Sequence, residues 1–502
     1  MFGFVLGCVL VACSTTTTIR VERSDRTPPI TAGTTPAGGT TEPAETTPTD
    51  PTDSTSPIDT VPLVDTGDGI GDPLFPDLGN PGIDVLHYDV QVNAQPDAPT
   101  LDGTVIVTLR ATRDLAEFTL DATTPAVATV SIDDAPVEFV HESPELRITP
   151  ASPLAAGDEV DVTIVYTAPT SAQDSPAGLP LGWTNTPGGS FVLDEPDGMR
   201  NWLPSNDHPS DKASYRFDIT VGFGLTAVAN GSLTSHTTTD AGETWVWDQP
   251  EPMSTYLAIV IVGDYELVEG VGPNGLPLVS AVLRSDRATM QPFLDSIAAQ
   301  IDFLDDLFGP FPLASYGIAI TESFPGLAME TQGLSLFSRD DFLDGELGFL
   351  QELLLAHELT HQWFGDAVSP EQWDDIWLNE SFATYGQWLW LDHVGLQTLQ
   401  AQALSGLENR PLGATGDPTV DEMFGFNSYD GGAAVVHALR LTIGDDAFFT
   451  LLQRWIADNN GTSRSTADFI ALTNEVTSSD QTAFFDEWLF ATTVPSEFPE
   501  GR

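Results

Sequence analysis

Residues 346–366 read ELGFLQELLLAHELTHQWFGD, and the rest of the chain is understood outward from them. Leu350, Leu353, Leu354, Leu359 and Trp363 leave almost no polar face, so Glu346 to Phe364 is expected as a buried helix with Gly365 as its C-cap. His357 and His361 stand four residues apart, which stacks both imidazoles on one helix face within reach of a single ion. Glu358, one position on, points about 100° around the helix, beside the ion, where a general base belongs. A buried helix carrying these groups needs a partner for each, and a metal ion supplies one.

Glu380 follows His361 after 18 residues (362–379), within Trp377-Leu378-Asn379-Glu380-Ser381. It opens a second helical segment rich in Phe382, Tyr385, Trp388 and Leu389. A short reversal between the two helices brings its carboxylate to the same ion. Two neutral imidazoles and one carboxylate leave an open position on a divalent ion, the donor set of catalytic zinc, and one Zn2+ per chain is expected on His357, His361 and Glu380. The other histidines, His87, His141, His208, His236, His393 and His437, lack this spacing and are expected to be structural.

Upstream of this centre, between about Asp72 and Glu269, the apolar pattern has period two. Val160, Val162, Ile164, Tyr166 and then Tyr215, Phe217, Ile219, Val221, Phe223 alternate with polar positions, as half-buried strands do. Further strands are expected at His87–Val92, Thr104–Leu109 and Tyr256–Val262. From about residue 285 the spacing becomes three and four, beginning with Met290, Phe293, Leu294, Ile297, Ile301 and Leu304. The fold class is therefore multidomain α+β: an N-terminal antiparallel β-sandwich or saddle domain over 71–270, then a mainly helical domain over 271–502. No internal repeat is visible.

The first residues differ in kind. Phe2 to Ala12 is a short apolar run ending in Leu10-Val11-Ala12-Cys13, which resembles the lipobox of bacterial lipoprotein signal peptides. That resemblance implies cleavage before Cys13, a lipid on its sulfur and attachment to the outer side of a cell membrane without a spanning helix. A secreted soluble form is the alternative. Residues 14–70, dominated by Thr, Pro, Asp, Ser and Gly, hold too few large apolar side chains to fold and are expected as a disordered tether. Against 74 Asp and Glu stand 17 Lys and Arg, a net charge of −57, which excludes nucleic acid as a partner. Lys212 is the only lysine, and so acidic a surface suits hydration in a salty medium. The two cysteines, Cys8 and Cys13, leave the body of the chain without thiols.

His357 to Asp366 (HELTHQWFGD) and Trp377 to Tyr385 (WLNESFATY) resemble the aminopeptidase N family of gluzincins, which also includes leukotriene hydrolase. Asp72 to Tyr88 (DPLFPDLGNPGIDVLHY) and Trp202 to Ala213 (WLPSNDHPSDKA) are similar to segments of the family's β-domain, so the likeness covers nearly everything after the tether. It implies a thermolysin-like catalytic domain and a zinc-dependent aminopeptidase acting on peptides with a free N-terminus, with Glu358 as the catalytic base. Leu327-Ala328-Met329-Glu330-Thr331 stands where the family carries Gly-Ala-Met-Glu-Asn, which implies substrate contacts by Ala328 and Met329 and capture of the terminal amine by Glu330. Counting back five residues from Arg200 implies Glu195 as a second amine anchor. Tyr429-Asp430-Gly431-Gly432 resembles the family's Tyr-x-Lys-Gly stretch, which implies Tyr429 as a hydrogen-bond donor to the developing oxyanion. Because the chain ends soon after Trp488, Pro495 and Pro499, a short form without the C-terminal helical domain, and a more open cleft, is expected. The alternatives are a thermolysin-like zinc endopeptidase and a non-catalytic peptide-binding relative, with epoxide chemistry of the leukotriene-hydrolase kind a minor possibility.

Overall fold

The computed structural model describes residues 69–95 and 98–501. The Cys13 motif and nearly all of the expected tether lie outside the described residues. From Ile83 to Leu283 the described chain is mostly strand, and from Arg287 onward mainly helix.

The largest sheet runs in the order Ser232–Thr239, Gly242–Met253, Ala213–Val221, Ile83–Asn93, Thr100–Ala111, Glu159–Pro169, Ala126–Ile132, Ala135–Pro136. Its pairs are antiparallel except for Ile83–Asn93 beside Ala213–Val221, which run parallel. The period-two pattern packs it: Val160, Val162, Ile164, Tyr166 and Ala168 are buried, while Asp161, Val165 and Thr167 between them face solvent. Tyr215, Phe217, Ile219 and Val221 are likewise buried, but Phe223 lies in the turn beyond the strand and is 65% exposed. A second, antiparallel sheet contains Gly189–Leu193 and Val260–Gly263. The strand expected over Tyr256–Val262 starts only at Val260, because Thr255–Leu257 form a 3-10 turn whose Thr255 and Tyr256 hydroxyls bond to Asp207 and Gly365.

The hairpin of Tyr265–Val271 and Pro277–Leu283, within which the expected 270/271 boundary falls, belongs to a third sheet with Ile318–Thr321, Ser335–Ser338 and Ala328–Met329. Eight α-helices follow among the described residues: α1 (Arg287–Phe308), α2 (Phe349–His361), α3 (Trp377–His393), α4 (Leu399–Glu408), α5 (Asp430–Ile443), α6 (Asp445–Asn459), α7 (Thr466–Thr477) and α8 (Thr482–Trp488). The predicted face of α1 is inside, with Met290, Phe293, Ile297, Ile301 and Leu304 buried. The quoted stretch forms α2, shorter than expected at both ends: it is capped by Gln362, and Gly365 stands three residues further on, at φ +127° in the next turn. That turn tightens as Asp366 N–H donates back to His361 C=O over 3.0 Å.

Two cores result. One fills the space between the first two sheets and also takes in Leu327, Met329, Trp373 and Ile376 from the second half of the chain. The other lies among the helices and encloses α2 and α3. No helix among the described residues is long and apolar enough to cross a membrane.

Candidate metal centre

Helix α2 is buried from Gln351 to His361 and α3 from Trp377 to Leu391, so their facing side chains meet away from water. Gly386 lets them approach: a β-carbon there would overlap Thr360 of α2. At the meeting point His357 Nε2 lies 3.2 Å from His361 Nε2 and 3.2 Å from Glu380 Oε2, and His361 Nε2 lies 3.4 Å from that same oxygen. The expected convergence of two neighbouring helices on one point is thus present.

The far sides of the two rings fit these donors to a metal. Phe364 C=O, which can only accept, takes the His361 Nδ1 proton at 3.1 Å, and Gln387 Oε1 accepts from His357 Nδ1 at 3.0 Å. With each Nδ1 carrying its proton, both Nε2 lone pairs are directed at the shared point, as metal ligation requires. Burial pushes the His357 pKa down, which also favours its neutral, ligating form.

Carboxylates surround this point. Ligand atoms of Glu330, Glu358 and His361 lie within 4.8 Å of one another, and so do those of Glu195, Glu330 and Glu380. Burial, reinforced by Glu330 and Glu380, pushes the Glu358 pKa well above the usual carboxylate range, while His361 opposes it. Glu195 is raised in the same way, by burial and then by Glu330 and Glu380. For His361, burial acts downward, yet Glu330 and Glu380 outweigh it and raise the pKa well above the ordinary imidazole value. Four carboxylates around two imidazoles make a cluster that favours cations.

Of the other residues predicted from the sequence, Glu358, Glu330, Glu195 and Tyr429 lie at this centre, whereas Met329 is buried in the core between the sheets and Ala328 packs against the helical core. Ala328 and Met329 form a two-residue strand antiparallel to Ser335–Ser338, and it delivers Glu330 to the centre. Glu195 comes from the other half of the chain, two residues past the strand Gly189–Leu193. It is only 8% exposed. Glu195 Oε1 and Glu330 Oε1 are both buried without a hydrogen-bond partner. Tyr429 precedes α5 at φ −94° and ψ −103°, its ring stacked on His357 at 5.9 Å between centroids and 18° between planes.

Several supporting residues escaped sequence reasoning. Gln387 sits seven positions after Glu380, two turns along the same face of α3, and that spacing was a usable signal. Ser381 Oγ donates to Ser428 C=O at 2.7 Å, tying the segment before Tyr429 to the residue after Glu380. Arg410 donates to Gly431 C=O at 3.4 Å and to Thr415 Oγ1 at 2.9 Å, and Thr415 Oγ1 donates to Asn427 C=O at 2.9 Å, which brackets Tyr429 from both sides. Nothing local in the sequence marks Arg410.

A β-rich half joined to a helical half, with two imidazoles on one buried helix and a carboxylate on the next, defines the class of two-domain metallopeptidase folds. Residues 85–257 match the peptidase M1 N-terminal domain and residues 293–488 the peptidase family M1 domain. The chain belongs to the peptidase M1 family. A solved two-domain M1 zinc metallopeptidase bound to L-tryptophan is 31% identical, with a TM-score of 0.79 over 86% of this chain and all of that one. An M1 zinc metallopeptidase variant from Deinococcus radiodurans, bound to a Tyr-Ser-Ala substrate, is 30% identical, with a TM-score of 0.76 over 86% of this chain and 99% of that one. Endoplasmic reticulum aminopeptidase 1 of Homo sapiens is 27% identical over 400 residues, 72% of this chain and 42% of the relative. The chain spans 42% of the length of that relative and 49% of aminopeptidase M1 of Arabidopsis thaliana.

Proposed function

We propose that this chain is a zinc-dependent aminopeptidase that removes the first residue from peptides with a free N-terminus. The observation that carries this reading is the pair Glu195 and Glu330, buried, each with an oxygen lacking a partner, beside Glu380. The one label that separates a chain's first residue from all others is its ammonium group. Charge-assisted hydrogen bonds from that group to two desolvated carboxylates are strong, and an internal peptide bond has no cation to offer. Holding the ammonium there sets the first peptide bond over His357, His361 and Glu380, so position selects the bond that is cut.

Zinc held by His357, His361 and Glu380 would supply a Lewis acid that acidifies water and polarises a carbonyl. The chain's own groups move the protons. Glu358 takes a proton from the attacking water and passes it to the leaving amine. The Tyr429 phenol donates a hydrogen bond to the carbonyl oxygen as it gains negative charge.

The test is a panel of aminoacyl anilides, free and N-acetylated, assayed with the full chain alongside metal analysis. Free substrates are expected to be hydrolysed and acetylated ones refused, and Glu358→Gln is expected to keep its metal while losing at least about 100-fold in kcat. Equal cleavage of acetylated substrates would favour a thermolysin-like endopeptidase instead.

For location, we propose a lipid-anchored protein on the outer face of a cell membrane, supported by the Leu10–Cys13 motif. Palmitate labelling that Cys13→Ser abolishes is the expected result, and a labelled variant would refute it.

A further inference from the structure

Three consecutive carbonyls follow the last ligand of α2. Phe364 C=O holds the His361 ring through Nδ1 at 3.1 Å. Gly365 C=O accepts from the Tyr256 hydroxyl at 3.1 Å, and Asp366 C=O accepts from Lys212 Nζ at 2.6 Å. The Tyr256 hydroxyl in turn accepts from Asn379 Nδ2 at 3.1 Å, and Asn379 immediately precedes Glu380. Lys212 and Tyr256 both belong to the matched N-terminal domain, whereas every metal ligand belongs to the other half.

The turn lies against the ring: a β-carbon built on Gly365 would stand 3.3 Å from His361 Nδ1 and 3.3 Å from the Asn379 side chain. Lys212 is the one lysine in 502 residues, and burial pushes its pKa down to about 7 against the pull of Asp366. Keeping a desolvated ammonium is costly, which calls for a reason at this position. An ammonium is a compact donor that reaches a single carbonyl, where a guanidinium needs room for its planar fork.

We propose that the β-rich half sets the metal affinity of the helical half: Lys212 and Tyr256 are positioning residues that clamp the Phe364–Asp366 turn and, through it, the His361 ring. This rests on reading His361 as a ligand. Outer partners of ligating imidazoles typically change metal affinity about 10–100-fold when removed, and here the clamp is one bond further out.

The experiment measures the zinc dissociation constant of the full chain by competition with a chromogenic chelator, for wild type, Lys212→Met, Tyr256→Phe and the control Tyr215→Phe. The Tyr215 hydroxyl is buried without a hydrogen-bond partner in the same β-rich half. Zinc binding about 10-fold weaker in Tyr256→Phe and in Lys212→Met is expected, with Tyr215→Phe unchanged and kcat of the two clamp variants restored by excess zinc. Tyr256→Phe deletes one oxygen and keeps the ring, so it decides the matter if Lys212→Met does not fold. Wild-type affinity in folded Tyr256→Phe overturns the proposal, as does an equal loss in the control, which would mean general loosening. Wild-type protein that binds no zinc would instead overturn the reading of His361 itself.

Discussion

At the scale of single residues, acceptors stand behind both imidazoles of the proposed metal centre. Phe364 C=O is supplied by the backbone and cannot be deleted by substitution, but Gln387 can. Gln387→Ala leaves His357 Nδ1–H without its acceptor and frees the ring to turn, so zinc affinity is expected to fall about 10–100-fold while secondary structure stays intact. Equilibrium dialysis checks this, and undiminished affinity would show that packing alone holds the ring. The proposed amine anchors make a different prediction. Glu195→Gln and Glu330→Gln remove charge facing the substrate's ammonium and leave the three ligands in place. KM for free aminoacyl anilides is expected to rise by about 10-fold or more, since a charged hydrogen bond is worth roughly 1.5–3 kcal/mol. An unchanged KM in both variants would remove the ammonium from that cluster.

At the scale of elements, the proposed metal centre is a helix-packing problem. Glu380 reaches the imidazoles because α2 and α3 pack closely, and at Gly386 a β-carbon would overlap Thr360. Gly386→Ala puts a methyl group into that contact, with an expected loss of about 1–3 kcal/mol of stability and weaker zinc binding as the helices part. Urea denaturation and dialysis on the same variant test both consequences, and wild-type values in each would show that the interface has room. Gly432 plays the matching part between α5 and α3, since its β-carbon would overlap Ser381. The two glycines therefore let both α2 and α5 pack closely against the helix that carries Glu380.

At the scale of the whole molecule, charge governs stability. A net charge of −57 repels itself, and salt screens that repulsion. The melting midpoint is expected to rise by about 5 °C or more between 50 mM and 1 M NaCl, and a flat response would remove the salt-adapted reading. Buried acids add a pH dependence. Burial raises Asp207 to about 6 and Asp211 to about 7, so the native state keeps protons that the unfolded chain releases near pH 4. Unfolded chains then bind fewer protons than native ones through this window, and stability falls as pH rises from about 4 to about 7. Asp211→Asn removes one such group. Relative to wild type it is expected to gain of order 1–3 kcal/mol across that interval, measured by denaturation at pH 4.5 and pH 7.5.

Whatever depends on local period and spacing could be read before folding. Alternating apolar residues such as Val160, Val162 and Ile164 specify strands, and four-residue spacing puts His357 and His361 on one helix face. The resemblance carried by short motifs pointed to Glu330, Glu195 and Tyr429. How distant segments share one site depends on the tertiary fold. It brought Glu195 from the β-rich half beside Glu330, ended α2 at His361 instead of Phe364, and placed Lys212 and Tyr256 on the turn behind the ligand. Such contacts join residues more than a hundred positions apart. Packing and burial choose them, and burial, by withholding water from polar groups, forces each to find a partner wherever the folded chain provides one.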